Sequence, residues 1–385
     1  MPDPEFYTRP METFDFPFGM EEEYFLADAA TGELSSTPAL DELMRDARAR
    51  LGDVVTSELL QSQIEIASPI LHSHDEAREV MFRTRRELSE VVAEHGLNIL
   101  AASTHPLGIW QEQLITEKRR YDKLVSDFRI VSQRNLVCGL HIHVAIPEGV
   151  DRVEVMNRAM HWLPMFLALS TSSPFWNHRV TGLLSYRQAL YDEWPRSGIP
   201  DFFLDEADYQ AFVDRMQAAG AIADSTHLWW AIRPALRYPT LELRISDVCT
   251  RLDDALAIAA LYRCLIATLL ANPEMGKGRS THTRRLIDEN RWRAKRDGIK
   301  AEFILETSNE VVPVANVVAD LLTESREQIE RLNCAAALKP LDRILAEGTS
   351  AHEQLKIYNE SRAAGDENRQ ALGRVIDWLQ QTTLG

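Results

Sequence analysis

Acidic residues two positions apart near the start of the chain are suited to holding a cation. Glu21 and Glu23 lie within Gly-Met-Glu-Glu-Glu at 19–23, and alternate side chains of a strand project from one face. Neighbouring carboxylates repel each other and raise each other's pKa unless a cation lies between them. The pattern predicts a cation site, with a charge-protected edge strand as the alternative.

A second polar row occupies residues 58–67. Gln61, Gln63 and Glu65 alternate there with apolar residues, so the three side chains share one face of a strand. Glu58 has the wrong parity for a regular strand and joins the row only if a bulge or turn redirects it. A solvent-facing polar row on a sheet with one wet face is the alternative.

Two histidines share a face in the third segment. His141 and His143 alternate with apolar residues, and Gly139 on the same face permits close approach of another group. Imidazoles beside a carboxylate-bearing sheet are candidate metal ligands. Zinc accepts such histidines, but a carboxylate-dominated site suits Mg²⁺, or Mn²⁺ in its place.

The fourth segment combines an acid with arginine. Glu242 and Arg244 share a face, and a planar guanidinium two residues from a metal ligand can bind a phosphate that the metal also touches. Arg233, which follows an aromatic cluster at 229–230, is a second candidate phosphate ligand. A plain surface ion pair and an exposed end of a packed segment are the alternatives.

These residues must be positioned by strands, and period-two patterns predict strands at 14–26, 59–68, 136–147 and 239–248. Period-3.6 patterns predict helices at 74–95, 153–169, 253–271, 314–337 and 368–381, with Asp253 and Asn368 as caps. Strands concentrate in 14–250 and helices in 251–385. The order predicts an α+β fold with an antiparallel sheet flanked by helices, in one catalytic domain spanning 1–385.

Composition narrows the classes of partner. The formal charge of −16 disfavours nucleic acid and anionic membrane surfaces. The apolar segment 255–270 is interrupted by Arg263 and falls short of a membrane span. The four widely spaced cysteines and the absence of a secretory leader favour a reducing cytoplasm. The helix-rich C-terminal third leaves open either packing on the sheet or a homodimer surface.

Eight motifs occur together in one order. They are Gly-x-Glu-x-Glu at 19–23, Gln-x-Glu at 63–65, Ser-Thr-His-Pro at 103–106, Arg120-Tyr121, and the segments 139–144, 172–176, 229–234 and 241–247. In this the chain resembles the carboxylate–amine ligase family of type 2 glutamate–cysteine ligases, whose fold is similar to the catalytic domain of glutamine synthetase. The resemblance therefore predicts that the polar face of the sheet is concave and forms the floor of the site.

The resemblance implies a set of roles. The implied metal ligands are Glu21, Glu23, Glu58, Glu65, His141 and Glu242. Arg233 and Arg244 are implied as catalytic groups that bind phosphate or nucleotide, with His143 beside the nucleotide. Arg120 and Tyr121 have no assigned role, and segments 172–176 and 181–187 are expected to form a loop over the substrate.

The resemblance also implies a reaction. ATP with Mg²⁺ would activate a carboxylate, such as the side chain of glutamate, as an acyl phosphate that an amino-acid amine attacks, releasing ADP and phosphate. Two alternatives stay open from the residues alone. One is a metal-dependent hydrolase using His141, His143 and Glu65, and the other is a metabolite-binding protein without turnover.

Overall fold

The computed structural model describes residues 13–35, 40–306 and 310–385 of the chain. The strands are β1 (Phe18–Asp28), β2 (Val55–Ser57), β3 (Gln63–Ala67), β4 (Leu97–Leu100), β5 (Leu140–Ala145), β6 (Phe175–Trp176), β7 (Arg179–Val180), β8 (Ser197–Gly198), β9 (Trp229–Trp230), β10 (Ile232–Pro234), β11 (Thr240–Leu243), β12 (Glu302–Ile304) and β13 (Val311–Pro313). The helices are α1 (Leu40–Leu51), α2 (His74–Glu94), α3 (Arg119–Phe128), α4 (Ile130–Gln133), α5 (Arg152–Ala159), α6 (Leu163–Ser170), α7 (Tyr186–Tyr191), α8 (Glu206–Ala218), α9 (Leu252–Ala271), α10 (Thr283–Asp297), α11 (Val314–Glu324), α12 (Arg326–Arg331), α13 (Ala335–Leu338), α14 (Pro340–Glu347), α15 (Ser350–Ala363) and α16 (Asn368–Thr383).

A seven-stranded sheet forms the centre of the fold. Its strand order is β10-β11-β5-β1-β3-β2, and β4 pairs with the later part of β1 on the edge opposite β3. Every pairing within this sheet is antiparallel. The predicted α+β class with an antiparallel sheet flanked by helices is therefore confirmed.

The observed strands are shorter than the sequence patterns predicted. Pro17 lacks an N–H donor, and β1 begins only after it. A turn occupies positions 61 and 62, so β3 begins at Gln63 and excludes Gln61 from the predicted row. Beyond β11, the chain continues as irregular backbone that returns to the sheet through an isolated bridge between Gly139 and Asp247.

Several predicted helix boundaries are wrong. The segment 153–169 is split because Pro164 cannot donate within a continuous helix, and α6 starts with this proline in its first turn. The segment 314–337 divides into α11, α12 and α13, with Asn333 at a positive φ of 51° before the last. The predicted caps are also displaced: Arg251 and Glu367 precede α9 and α16.

Helix α9 lies in the core against the apolar side of the sheet and contacts β5, α2 and α5. Its length and composition satisfy the criteria for a membrane span, which corrects the expectation that this segment is too short and too interrupted. However, 89% of the most apolar 18-residue stretch of this helix is buried inside the protein. Burial on all sides is sufficient to explain a helix that is apolar all round.

A buried ion pair ties the central strand to helix α2. Glu22 projects from β1 toward the apolar side and accepts hydrogen bonds from Arg85 Nε at 2.9 Å and from the Tyr24 hydroxyl. Arg85 also donates to the carbonyls of Thr250 at 3.0 Å and Thr383 at 3.2 Å. This one guanidinium therefore joins β1, α2, the start of α9 and the end of α16.

We predict that Arg85→Met destabilises the protein by about 3–5 kcal/mol, because the Glu22 carboxylate would stay buried without its main partner. Urea denaturation measures the change. Replacing both residues, as Arg85→Met with Glu22→Leu, is expected to recover much of the loss. Arg326→Ala, which removes an exposed pair with Glu330, serves as control and should cost no more than about 1 kcal/mol. A single Arg85 variant as stable as the control would contradict the prediction.

Candidate active site

Cross-strand register assembles the predicted polar residues on one side of the sheet. Five strands contribute them, and directly paired positions in antiparallel strands lie close enough for their side chains to interact. The paired positions are Glu21 with His141, Glu23 with Glu65, Gly19 with His143, His143 with Glu242, and Glu242 with Arg233. The period-two prediction of which side chains share this face is confirmed.

One group of three candidate ligands consists of Glu21, His143 and Glu242. A ligand atom from each lies within 4.8 Å of the other two. His143 Nε2 is 3.3 Å from a Glu21 oxygen, and its Nδ1 lies 3.0 Å from the Thr240 hydroxyl. The hydrogen bond between Nδ1 and Thr240 fixes the orientation of the ring, as a bond at the non-ligating nitrogen does for many metal-binding histidines.

A second group consists of Glu23, Glu58 and Glu65, with one oxygen from each again within 4.8 Å of the others. Glu58 follows the end of β2 and precedes the turn into β3. The expectation that a turn is needed to bring it into the cluster is confirmed. Three carboxylates so close together form an all-oxygen site suited to a hard divalent cation.

His141 lies between the two groups. Its Nδ1 is 3.2 Å from Glu21 and its Nε2 is 4.0 Å from Glu23. The geometry thus places His143 directly within a candidate metal group and His141 at the boundary. The implied roles of His141 at the metal and His143 at the nucleotide stay predictions.

The two groups differ in electrostatic character. Burial raises the pKa of Glu23 to about 8, with Glu58 adding to the effect, and burial with neighbouring carboxylates raises the pKa of Glu65 well above its ordinary value. Burial also acts to raise the pKa of Glu21, but its contacts with the His141 and His143 imidazoles outweigh burial and hold that pKa low. Glu23 and Glu65 therefore hold their protons more tightly than an ordinary glutamate does, and a bound cation would have to displace those protons.

Orphaned polar atoms test whether a metal fits. Nε2 of His141 and Nε2 of His143 are both buried without a hydrogen-bond partner of normal geometry. Buried imidazole nitrogens are normally paired or bound to a metal. Together with the carboxylate oxygens, these atoms form a donor set that fits Mg²⁺ or Mn²⁺.

The two predicted arginines both contact Glu242. Arg233 donates to it through Nε at 2.7 Å and Nη2 at 3.2 Å, and its Nη1 is taken by the carbonyls of Thr226 and Leu228. Arg244 also donates to Glu242 and reaches the Tyr191 hydroxyl at 3.2 Å.

The two arginines differ in the donors that they still have available. Arg244 Nε is buried without a partner, whereas the nitrogens of Arg233 are engaged. Arg244 therefore keeps one donor that none of the described residues uses.

A cavity of ≈ 490 Å³ opens above this face. Its walls include residues to which the sequence analysis assigned no role. These are Lys118, Asn135, Tyr191, Trp194, Thr226, Trp229 and Arg237. Tyr121 also lines the cavity, and its hydroxyl donates to the Ser57 carbonyl at 3.0 Å. The side chain of Arg120 lies outside the described residues.

Segments 172–176 and 181–187 do not form the expected loop over the substrate. Ser172, Ser173 and Ser185 are fully buried and converge on the carboxylate of Asp247. That carboxylate accepts from Ser172 N at 2.9 Å, Ser173 Oγ at 2.8 Å and Ser185 Oγ at 2.9 Å. They form a buttress behind the end of β11, and the expectation of a substrate loop was wrong.

Arg187 completes this buttress beneath Gly139. Its guanidinium donates to the Ser246 carbonyl at 3.1 Å and the Arg244 carbonyl at 3.3 Å. A Cβ on Gly139 would lie 2.4 Å from Arg187 Nη2 and 3.2 Å from His141 Nε2. The backbone N–H of Gly139 donates to Glu23 at 2.6 Å, so this glycine positions a candidate ligand while leaving room for the arginine.

We predict that Gly139→Ala weakens Mg²⁺ binding about tenfold or more, because Arg187 is pinned by carbonyls and overpacking costs about 1–3 kcal/mol. Isothermal titration calorimetry with MgCl₂ measures the change. Gly278→Ala is the matched control, since a Cβ there meets nothing within 4 Å. Equal Mg²⁺ affinity in both variants would show that this close approach does not matter to the site.

Sequence comparison identifies relatives along nearly the whole chain. Residues 17–377 match the family model described as Glutamate-cysteine ligase family 2 (GCS2). The chain is 43% identical over 366 residues to a "Putative glutamate–cysteine ligase 2" of Ectopseudomonas mendocina, covering 95% of this chain and 96% of that one. A protein of the same name from Rhodospirillum rubrum is 42% identical over 373 residues, covering 96% of each.

Solved structures share the fold at low sequence identity. A glutamate–cysteine ligase of Francisella tularensis in complex with AMP matches with a TM-score of 0.66 and 14% identity, over 96% of this chain and 89% of that chain. A bifunctional glutathione synthetase of Pasteurella multocida matches with a TM-score of 0.68 and 14% identity, over 96% and 53%. The sequence relatives, together with the ordered motifs on the sheet, show that the chain belongs to glutamate–cysteine ligase family 2.

Proposed function

We propose that the protein is an ATP-dependent carboxylate–amine ligase of the glutamate–cysteine type. It joins a carboxylate, that of the glutamate side chain, to an amino-acid amine and releases ADP and phosphate. The observation that carries this proposal is the pair of acidic ligand groups on one sheet face, with Arg244 beside them in one cavity. Membership of the family supports the ligase class, and the AMP in the Francisella ligase supports a nucleotide substrate.

Charge neutralisation is the central demand of this chemistry. Two divalent cations held by the Glu21 and Glu23 groups would offset the charge of the phosphates and of the developing transition state. Arg244 offers a fixed guanidinium that contacts Glu242 of the first group and lines the cavity. Arg233 holds Glu242 in place through two hydrogen bonds and adds positive charge behind it.

The walls of the cavity would hold the two substrates close together and exclude water. Binding both substrates in one cavity replaces an encounter in solution by a local reaction, and a shielded site protects a reactive acyl phosphate from hydrolysis. Trp194 and Trp229 line this cavity and present apolar surface that displaces water. The general chemistry of phosphoryl transfer needs positioning and electrostatics more than a side-chain nucleophile.

The geometry weighs against the hydrolase alternative. That reading needs His141, His143 and Glu65 around one metal. In the described part of the chain, His143 groups with Glu21 and Glu242, whereas Glu65 groups with Glu23 and Glu58.

The four cysteines are free, buried thiols, which supports the proposed cytoplasmic location.

We predict that phosphate release from ATP requires Mg²⁺, glutamate and an amino-acid acceptor together, and that Glu21→Gln lowers it by about 10²–10³-fold. The reason is that the substitution removes a charge from the first ligand group where transition-state charge must be balanced. A coupled phosphate assay measures the rate, with cysteine and other amino acids offered in turn. Glu79→Gln, at an exposed position of α2, is the matched control.

The same assay separates the alternatives. Cleavage of amides by the metal-loaded protein without nucleotide would replace the ligase by a hydrolase. No turnover with any substrate, and no increase of the melting temperature with ATP and Mg²⁺, would favour a metabolite-binding protein.

We further predict that Mg²⁺ binding releases protons at neutral pH and strengthens as the pH rises toward and past about 8, the pKa of Glu23. The sign follows because the metal-free carboxyl holds a proton below its raised pKa, and the cation must displace it. Calorimetry in two buffers of different ionisation enthalpy measures the number of protons released. An affinity that does not change with pH would contradict the raised pKa.

A further inference from the structure

The Arg233 side chain contacts two parts of the site at once. It lies on β10 directly opposite Glu242 of β11, and it donates to both oxygens of that carboxylate, through Nε at 2.7 Å and Nη2 at 3.2 Å. Its Nη1 donates to the carbonyls of Thr226 at 2.9 Å and Leu228 at 3.0 Å. One guanidinium therefore joins a candidate metal ligand to the chain segment that precedes β10.

These contacts leave Arg233 little capacity to bind a ligand. A guanidinium has five N–H donors, and the hydrogen bonds with Glu242, Thr226 and Leu228 use four of them. The side chain is 12% exposed. This geometry is that of a cross-link within the protein, and it differs from the phosphate-binding role that the resemblance implies.

The segment that Arg233 holds carries an aromatic wall of the cavity. Leu228 is fully buried and Trp230 is 7% exposed, whereas Trp229 between them is half-buried and lines the cavity. Such alternation is expected of an extended chain with one face on the core. The Trp229 ring packs on Trp194, with ring centroids 5.0 Å apart. Arg233 therefore fixes where an aromatic surface faces the cavity.

Backbone pairing alone gives this wall limited support. Strand β9 has two residues, and it pairs with β8, which is equally short. On the other side of Leu228, a short 3₁₀ turn (Ser225–His227) is capped by Asp224, which accepts from Thr226 N at 2.8 Å. The two carbonyl contacts of Arg233 therefore contribute strongly to the position of Trp229.

We propose that Trp229 determines specificity for the amine acceptor and that Arg233 is its positioning residue. The same guanidinium contacts Glu242 and the carbonyl of the residue before Trp229. It thereby sets the spacing between the Glu21 group and the aromatic wall. This assignment rests on the proposed function, because it takes the wall as a surface for the acceptor.

The position of the wall beside Glu242 favours the acceptor as its ligand. The amine must attack the acyl phosphate, which forms where the cations hold the transferred phosphoryl group. The base of a nucleotide lies at the far end of its ribose and phosphates from that group. A wall one arginine side chain away from Glu242 therefore faces the reacting end of the substrates, where the acceptor side chain must fit.

Acrylamide quenching of tryptophan fluorescence tests the positioning step without nucleotide or acceptor. Arg233→Lys keeps the charge but replaces the planar fork by one compact ammonium, which cannot bridge Glu242 and both carbonyls. We expect a larger quenching constant in this variant than in the wild type, because Trp229 loses its support. In a Trp229→Phe background, the same substitution should leave the constant unchanged.

Acceptor discrimination tests the specificity step. The ratio of kcat/KM for cysteine to kcat/KM for phenylalanine is measured in the wild type, Arg233→Lys, Trp229→Leu and the double variant. We expect each single substitution to shift this ratio by about tenfold, the effect of a methylene-sized change in an apolar pocket. The double variant should shift it by less than the product of the single shifts, because both act on one wall. A phosphate ligand would instead lower both values by a common factor and leave the ratio unchanged.

Arg158→Lys is the matched control. The Arg158 guanidinium also donates to carbonyls, those of Met275 at 2.7 Å and Asn272 at 2.6 Å, and Arg158 is not one of the described residues that line the cavity above the sheet. This substitution should change neither the acceptor ratio nor the quenching that depends on Trp229. Trp229→Leu alone decides the specificity step if Arg233→Lys folds poorly.

Two results would overturn the proposal: unchanged quenching in Arg233→Lys, or an acceptor ratio that stays constant in active variants. Absence of turnover with every acceptor would instead contradict the ligase function. The quenching comparison would then still show whether Arg233 positions the wall, since it requires no substrate.

Discussion

Repulsion among carboxylates on one sheet face is the constraint on which the rest of this site depends. Buried like charges are tolerated only when cations, protons or hydrogen bonds offset them. The Glu21 group has internal compensation, because His141 and His143 contact Glu21 and two arginines contact Glu242. In the second group, Glu23 and Glu65 instead have raised pKa values, so that protons can offset their mutual repulsion. A divalent cation would resolve this repulsion, and binding then becomes coupled to proton release.

Such a site needs a floor that does not yield to the repulsion. Strand β1 carries Glu21 and Glu23 on one face and Glu22 on the other, so the residue that anchors the strand lies between its two candidate ligands. The pair of Glu22 with Arg85 joins this strand to α2 and to the carbonyls of Thr250 and Thr383. The Asp247 buttress holds the far end of the floor in the same way. Supporting contacts of this kind keep ligand atoms within the tolerance that metal coordination requires.

Local periodicity was sufficient to predict the faces of the sheet. The alternation around Glu21, Glu65, His141 and Glu242 reflects the geometry of a strand, which depends on neighbouring residues alone. The prediction that Glu58 needs a turn followed from the same geometry. Which histidine joins which carboxylates could not be read in this way, since it depends on the register of β1, β5 and β11 and on side-chain rotamers.

Long-range contacts explain most of what the sequence did not reveal. Asp247 has the parity of the apolar face, and its partners Ser172 and Ser185 are 75 and 62 residues away. The pattern gave no signal that serines would be buried to hold a carboxylate, so these segments were assigned to the substrate. Helix breaks at Pro164 had a local signal in the proline itself, whereas the divisions between α11, α12 and α13 reflect packing on the core.

The division between floor and walls also limits what family membership says about substrates. The floor holds the acids, histidines and arginines that the ordered motifs contain, and in the proposed function these would carry the chemistry of the reaction class. The walls come from α3, α7 and the loops around Thr226 and Arg237, which carry aromatic and basic side chains of differing reach. A change of one wall residue, such as Trp229, would alter the volume and polarity offered to an amine while leaving both ligand groups intact. Selectivity for the acceptor can therefore vary among proteins that share this floor, because the constraint that fixes the floor does not extend to the walls.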